Sequence, residues 1–282
     1  MRALPDDIAS AKVLLLVKTY PLPSSKYGEL VCTAGLLDGT DWVRIYPIPL
    51  AVLTDDNAYP KYSWLVLDLT RNATDFRPES YRPRRGLDEP MTSSGRIGTG
   101  NCWAARRAIV LSDVHGSMAD LIALAKGPSR RSLATLKPKE VTAFRVRSVD
   151  REWKEKWLAQ SRQGRLFEIG AEGRQRHRPA VRKLPFEYYY EFTTEGDDGP
   201  REMKIEDWEI GALFWNCLDR TRSEDEANDL VRRRYYDDFV TQKDLHFFVG
   251  TTKQYHNIAP NPFTIIGVFY PPSTPQLPLL CV

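Results

Sequence analysis

Residues 28–48 read GELVCTAGLLDGTDWVRIYPI, and no other stretch of the chain indicates its local structure so strongly. The two halves, Gly28–Leu37 and Asp41–Ile48, are rich in the leucine, β-branched and aromatic residues that favour strands. Between them stands Asp38-Gly39, a dipeptide preferred in tight hairpin turns. The stretch therefore predicts an antiparallel β-hairpin.

Two further strands are predicted, one on each side of this hairpin. Lys12–Tyr20 is rich in leucine and valine and stops at Pro21, which cannot donate a hydrogen bond within a central strand. Tyr62–Leu69 has the same character. Four strands so close together predict a small N-terminal β-barrel or sandwich. Arg71–Gly100 is rich in Pro, Gly, Ser and Arg without periodicity, and we expect a long loop there.

The rest of the chain mixes predicted strands with helices. The two clearest helices are Asp207–Asp219 and Ser223–Val240, and the second opens with a Ser-x-x-Glu capping box. Strands are predicted at Ala104–Asp113, Lys139–Val149, Leu184–Thr193, Arg201–Ile205, Asp244–Val249 and Phe263–Tyr270. We expect a strand-rich α+β protein with its helices in the C-terminal half. The domains would be residues 1–100 and 101–282, or one continuous domain.

The composition excludes several classes of protein. Hydrophobic residues make up 42% of the 282, which rules out wholesale disorder. The longest apolar run, Val13–Val17, is far shorter than the about 20 residues that span a bilayer. No signal-peptide pattern is present, the four cysteines lack CxxC spacing, and no nucleotide-binding or metalloenzyme signature occurs. We therefore expect a soluble cytoplasmic protein with no cofactor, metal or membrane contact.

The basic residues point towards nucleic acid through their type and distribution. The net charge is only +3, yet 27 of the 40 basic residues are arginine, which binds phosphate with two nitrogens and stacks on flat rings. They concentrate in two segments, Arg71–Arg107 and Arg162–Lys183. A predicted strand also ends in Gly-Thr-Thr-Lys, a sequence that can present backbone N–H groups to an anion; its last residue is Lys253, and His256 follows shortly after. The predicted nucleic-acid contacts from these segments are Arg82, Arg84, Arg85, Arg176, Arg178, Lys253 and His256.

Polar residues within the predicted N-terminal strands are candidates for chemistry. Lys18, Glu29 and Arg44 stand in strands that otherwise look buried. A buried carboxylate beside a cation is where pKa values shift and catalysis becomes possible. The alternative is that Glu29 and Arg44 form an ordinary cross-strand ion pair.

A second group of acids, Asp207 and Glu209, stands at the start of a predicted helix. Asp207 suits the N-cap position, which explains it without any function. The two carboxylates could hold a divalent ion or a water molecule. Residues two apart on a helix point in different directions, however, so a site shared by both carboxylates is not expected.

Five blocks of sequence carry a resemblance to a known family: Lys18–Pro21, Glu29–Gly35, Trp42–Ile48, Asp207–Glu209 and Asp244–Thr251. From about residue 12 to 272 the chain resembles a loosely characterised family of bacterial and archaeal proteins associated with antiphage defence. The resemblance implies a DNA-directed role, and one defence activity that fits is excision of a modified base. It assigns no catalytic residue to any position.

The leading hypothesis is accordingly a DNA glycosylase that acts on foreign DNA. Such an enzyme needs rings to stack an extruded base and a carboxylate to steady the developing oxocarbenium ion. The assigned residues are Glu29 as the carboxylate, Lys18 and Arg44 as its neighbours, Asp207 as a further catalytic candidate, and Tyr20 and Tyr46 as the rings. Lys18 could instead attack the sugar as a Schiff-base nucleophile if burial lowered its pKa.

Two other functions use the same surface. A non-enzymatic reader of modified or single-stranded nucleic acid would need the arginines and tyrosines but no reactive carboxylate. A metal-dependent nuclease would need clustered carboxylates. Convergence of Lys18, Glu29, Arg44, Asp207 and His256 on one pocket would favour an enzyme.

Overall fold

A computed structural model of the chain describes residues 3–24, 28–49, 59–85, 92–153 and 182–273. Two β-sheets follow one another along the sequence, and most of the helices belong to the second half. Within the described ranges no helix has the length and apolar character needed to cross a membrane.

Seven strands form the first sheet: β1 (Asp7–Lys18), β2 (Leu22–Ser24), β3 (Gly28–Leu37), β4 (Asp41–Pro49), β5 (Ser63–Arg71), β6 (Ser80–Pro83) and β7 (Thr92–Arg96). Five of them close a barrel in the order β1-β3-β4-β6-β5, because β1 pairs with both β3 and β5. β4 and β6 run parallel, and the other neighbours in the ring are antiparallel. This arrangement is an OB-type Greek-key barrel. The prediction of a small N-terminal barrel is confirmed.

The predicted hairpin is confirmed as β3 and β4. Asp38 and Gly39 both have positive φ angles, 50° and 79°, as a tight hairpin turn requires. Successive side chains of a strand point to opposite faces. Val43 therefore lies in the barrel interior, whereas Trp42 lies on the outer face and joins a separate apolar cluster.

Seven strands form the second sheet: β8 (Val114–His115), β9 (Leu133–Leu136), β10 (Glu140–Ser148), β11 (Phe186–Thr193), β12 (Arg201–Ile205), β13 (His246–Thr251) and β14 (Phe263–Phe269). Their order is β10-β11-β12-β14-β13-β9-β8, with β12 and β14 parallel. Only residues 137–139 separate β9 from β10 in the chain. Counted as one interrupted strand, β9 and β10 give this sheet the strand order of the first barrel.

The helices are α1 (Gly100–Val110), α2 (Met118–Lys126), α3 (Trp208–Thr221), α4 (Glu224–Arg232) and α5 (Phe239–Gln242), with a π-helical segment (Arg233–Asp238) between α4 and α5. The two helices expected in the C-terminal half are therefore confirmed. Asp207 caps α3 by accepting a hydrogen bond from Glu209 N, and Ser223 caps α4 in the same way from Glu226 N.

An apolar cluster joins the two sheets. Leu14 and Trp42, on the outside of the first barrel, are buried together with Phe248 and Ile266 of the second sheet. Barrels of this order bind oligonucleotides on the outer face of their second and third strands. In the first barrel these strands are β3 and β4, and the second sheet covers much of that face.

Two predictions about individual elements were wrong. Ala104–Asp113 is not a strand, because most of it belongs to α1, whose Trp103, Ile109 and Val110 face the shared apolar cluster. Arg71–Gly100 is not loop throughout, since it contains β6 and β7. The segment forms β6 in spite of its irregular sequence, because closing the barrel requires a parallel partner for β4.

Candidate catalytic site at the junction of the two sheets

The end of β1 connects the first barrel to the second sheet. Thr19 forms an isolated antiparallel bridge with Asp207, and the backbone N–H of Tyr20 donates to Glu206 O at 3.0 Å. Lys18, the last residue of β1, therefore lies close to the N-terminus of α3.

A buried lysine and two carboxylates form the centre of this junction. Lys61 Nζ donates to both carboxylate oxygens of Asp207, at 2.8 and 3.0 Å, and to Glu209 Oε2 at 3.0 Å. Lys61 is 6% exposed and Asp207 is completely buried, whereas the Glu209 side chain is 44% exposed. We call these three residues the lysine–carboxylate cluster. It extends from the interior to the surface, with Glu209 at its outer end.

The convergence of Asp207 and Glu209 corrects the expectation that these carboxylates diverge. Asp207 is the N-cap and has extended backbone angles, φ −67° and ψ 135°, so it does not follow the helical rotation. Its side chain folds back over the first turn of α3, towards Glu209 N. The ammonium of Lys61 then bridges the cap and the first turn.

The cluster shifts the pKa values of its members. The charges of Asp207 and Glu209 raise the pKa of Lys61 in spite of its burial, so the ammonium stays charged. Burial raises the pKa of Asp207, although Lys61 acts in the opposite direction. Because Asp207 is completely buried, we assign it to holding Lys61 rather than to contact with a substrate.

Lys18 lies at the edge of the cluster with its side chain partly exposed. Burial lowers its pKa to about 8, the positive charge of Lys61 lowers it further, and Glu209 opposes the shift. An amine of this pKa is partly neutral near pH 7, and the neutral form is the nucleophile. Lys18 is therefore a candidate reactive amine at the junction, within the electrostatic influence of both Lys61 and Glu209.

Aromatic rings lie on the first-barrel side of the cluster. The guanidinium of Arg106 lies 3.8 Å from the centroid of the Tyr62 ring and 4.9 Å from that of Trp103. Burial raises the pKa of Tyr62 beyond the usual range of a phenol. The Arg106 guanidinium thus joins the Tyr62 and Trp103 rings, and Tyr62 is the chain neighbour of Lys61.

Tyr20, predicted as a stacking ring, is a packing residue at the junction. It stacks on Trp208 with ring centroids 5.6 Å apart, and a Cβ at Gly211 would collide with its ring. The Tyr20 hydroxyl donates to Arg182 O at 2.6 Å and accepts from Trp215 Nε1 at 2.9 Å. The ring therefore holds β1 against α3.

Arg44 lies in a different buried cluster, which corrects its expected position beside Lys18 and Glu29. Its guanidinium donates to Ser132 Oγ at 2.8 Å and to Thr251 O at 3.3 Å. Glu79 accepts from Ser132 N and Oγ, both at 2.8 Å, and Arg77 donates to Thr251 O. We call these five residues the arginine cluster. The polar groups of this cluster hydrogen-bond to one another, and these bonds connect the two sheets.

The pairing of β3 separates Glu29 from Arg44. Ala34 is the residue opposite Arg44, and Glu29 comes five residues earlier, where its backbone pairs with Pro23. Five strand residues span about 16 Å. The backbone register therefore does not place Glu29 opposite Arg44, which corrects the expected cross-strand arrangement. The side chain of Glu29 lies outside the described part of the chain.

The remaining predicted contacts fall on several surfaces. Tyr46 is 42% exposed, and the exposed arginines are Arg82, Arg84, which is 3.9 Å from Asp7, and Arg85, which is 3.7 Å from Asp68. Arg176 and Arg178 lie outside the described residues. Lys253 is exposed in the loop between β13 and β14.

His256 is completely buried, so its prediction as a nucleic-acid contact was wrong. Its Nε2 donates to Ala125 O at 3.0 Å, and its Nδ1 accepts from Thr251 Oγ1 at 2.7 Å. Burial lowers the pKa of the ring, which fits a neutral imidazole with one donor and one acceptor. His256 anchors the loop that carries Lys253.

Lys61 is the residue that the sequence analysis missed. It stands in Tyr59-Pro60-Lys61-Tyr62, just before β5, and no motif surrounds it. Its importance comes from the fold, which brings it to residues almost 150 positions further along the chain. Among the residues that the structure describes, no group of three or more His, Cys, Asp or Glu side chains could hold a metal ion.

Comparison with known families follows the division into two sheets. Residues 9–112, which contain most of the first sheet, match a family described as Domain of unknown function (DUF8758). Residues 114–280, which contain the second sheet, match a family described as Domain of unknown function (DUF8757). No curated protein matches the sequence. In this chain the DUF8758 region precedes the DUF8757 region. Because the DUF8757 match spans more than half of the chain, the protein belongs to the DUF8757 family.

Proposed function

We propose that the protein is a DNA-acting enzyme that excises a modified base, with Lys18 as the amine that attacks the sugar. The observation that carries the proposal is the position of Lys18, partly buried one residue before the bridge between Thr19 and Asp207, where burial and the charge of Lys61 lower its pKa to about 8. Arginine accounts for 27 of the 40 basic residues and binds phosphate with two nitrogens, which supports a phosphate-bearing substrate such as nucleic acid.

In the proposed reaction the neutral Lys18 Nζ attacks C1′ of an extruded nucleotide. The N-glycosidic bond breaks, and the base leaves with the bonding electrons and takes a proton from solvent. The proton lost by the Lys18 nitrogen passes to Glu209. The C1′–O4′ bond then breaks, O4′ takes this proton back from Glu209, and C1′ is left as a protonated Schiff base with Lys18. Water hydrolyses the Schiff base to regenerate the amine and leave an abasic site.

A non-enzymatic reader is the second candidate, and the exposed Tyr46 on β4 favours it. A ring that is 42% exposed can stack on a base without any chemistry at the junction. This reader would bind a modified strand and return it unchanged.

We expect the protein to produce alkali-labile abasic sites in duplex DNA that carries hydroxymethylated or glucosylated bases. Replacement of Lys18 by methionine should reduce the rate at least about 100-fold, because the nucleophile is lost. Lys12→Met is the matched control, since Lys12 lies on the same strand, over the Trp64 ring. Cleavage products on a denaturing gel after alkali treatment give the rates.

Binding of these duplexes without any abasic site would contradict the enzyme and select the reader. Full activity in Lys18→Met would be compatible with an enzyme but would show that Lys18 is not its nucleophile.

A further inference from the structure

An exposed apolar surface surrounds the buried His256. Within the described residues, the large hydrophobic side chains that are exposed are Tyr46, Leu124, Val146, Tyr255 and Ile258. Ile258 is 71% exposed and Tyr255 is 49% exposed, and both lie within two residues of His256. Leu124 precedes Ala125, whose carbonyl accepts the hydrogen bond from His256. Three of the five are thus grouped around one hydrogen bond.

The surface is built on two corresponding loops of the two sheets. Residues 72–79 connect the fourth and fifth strands of the first barrel, and residues 252–262 connect the same pair in the second sheet. The two loops contact each other, because the ring of Phe76 lies edge-on to His256 at 5.2 Å. Arg77 of the first loop also donates to Thr251 O, at the end of β13 just before the second loop. In barrels of this strand order, the loop between the fourth and fifth strands is one that contacts oligonucleotides.

The second of these loops is held rigidly, although its tip is exposed. The imidazole of His256 is bonded at both nitrogens. Backbone hydrogen bonds from His256 N to Thr252 O and from Ala259 N to Tyr255 O close the turn. Tyr255 is therefore presented on a fixed backbone, which reduces the entropy lost when a flat ligand stacks on it.

Positive charge surrounds the apolar side chains. Lys126, Arg130 and Lys253 are all exposed, and the guanidinium of Arg130 lies 5.8 Å from the centroid of the Phe76 ring. Neither residues 126–132 nor residues 252–262 contain an Asp or Glu.

The acids of the neighbouring loop are already bonded. Asp75 pairs with Arg77 at 2.6 Å, and Glu79 accepts from Ser132. The surface thus combines a ring, aliphatic side chains and cations that local acids do not cancel.

We propose that this surface binds single-stranded nucleic acid, with Tyr255 stacking on a base, Ile258 packing against the same strand, and Lys253 and Arg130 contacting its phosphates. An exposed ring between cations is the combination that single-strand binding uses. The inference extends the proposed DNA-directed function by adding a binding surface away from Lys18. The loop that carries Tyr255 and Ile258 ends where β14 begins, at Phe263. Tyr62, the neighbour of Lys61 in the chain, contacts Phe269 at the other end of β14, about 20 Å along the strand.

We expect Tyr255→Ala to weaken binding of a fluorescein-labelled oligothymidylate about tenfold, and Tyr255→Phe to retain most of it. Lys253→Glu should also weaken binding and reduce the slope of log affinity against log salt by about 1. Lys139→Glu is the matched control, because it makes the same charge change beyond the other end of β13. Fluorescence anisotropy between about 50 and 200 mM salt measures both quantities.

Absence of oligothymidylate binding by the wild-type protein would overturn this proposal. Unchanged affinity in both Tyr255→Ala and Lys253→Glu would do the same and would leave the apolar surface as a docking site for protein. The assay measures binding alone. A failure of base excision therefore leaves this proposal standing, and a failure here leaves the chemistry of Lys18 standing.

Discussion

Lys61→Met is expected to lower the free energy of unfolding by about 3–5 kcal/mol, the cost of removing one partner from a buried ion pair. Lys61 bonds both oxygens of Asp207, which is completely buried. Without the ammonium, a buried carboxylate loses its counter-charge and two of its hydrogen bonds. Urea unfolding followed by tryptophan fluorescence at pH 8 measures the loss.

The same variant should depend on pH in a defined direction. Asp207 has a folded-state pKa above its unfolded value, so the folded protein binds the proton more tightly. Stability contributed by such a group is present at low pH and is lost as pH rises through the folded pKa. The penalty of Lys61→Met should therefore be smaller at pH 5 than at pH 8, because Asp207 can become neutral.

Two controls test the cause of this destabilisation. Lys12→Met should cost less than about 1 kcal/mol, since Lys12 is exposed and its ammonium lies over the Trp64 ring at the surface. The double variant Lys61→Met/Asp207→Asn should recover part of the loss, because it removes the stranded charge. A loss below about 1 kcal/mol in Lys61→Met would contradict the cluster as described.

Lys18 should be acetylated by acetic anhydride at pH 7 much faster than an ordinary lysine. The reason is that the neutral fraction of its amine is about 300-fold higher at this pH. This follows from a pKa of about 8 for Lys18 against the ordinary lysine value of 10.5. The amine is protonated below its pKa and nucleophilic above it, so its labelling rate should rise from pH 6 and level off above pH 8. Competitive labelling against a lysine model peptide, read by mass spectrometry, gives the midpoint.

Glu209→Gln tests whether the cluster sets this midpoint. Glu209 raises the pKa of Lys18, so its neutralisation should move the midpoint below 8. Glu140→Gln, an exposed change on β10, should leave the midpoint in place. A Lys18 midpoint near 10.5 in the wild-type protein would contradict the reactive amine.

The sequence predicted the parts of the fold that local patterns specify. The hairpin of β3 and β4 was predictable because Asp38-Gly39 suits a tight turn between two apolar runs. The N-cap roles of Asp207 and Ser223 were predictable for the same local reason. Helix α1 was not predictable from the sequence, because its apolar face is defined only by packing against the second sheet.

The site depended on long-range contacts that sequence spacing does not reveal. Lys18 was predicted as a polar residue within an otherwise buried strand, with Glu29 and Arg44 of the neighbouring hairpin as its partners. In the structure the charges that act on Lys18 are those of Lys61 and Glu209, and the bridge between Thr19 and Asp207 joins the end of β1 to the start of α3. Arg44 and His256 were predicted as site residues from their residue types. Both are buried in the structure, where their hydrogen bonds stabilise the fold.

Borohydride trapping tests the proposed role of Lys18 most directly. The protein is incubated with duplex DNA that carries hydroxymethylated or glucosylated bases, in the presence of borohydride, and the digested adduct is mapped by mass spectrometry. We predict a covalent protein–DNA adduct on Lys18, absent in Lys18→Met and retained in Lys12→Met, because reduction fixes the Schiff base. Base release without any adduct, or an adduct on a different lysine, would contradict the account.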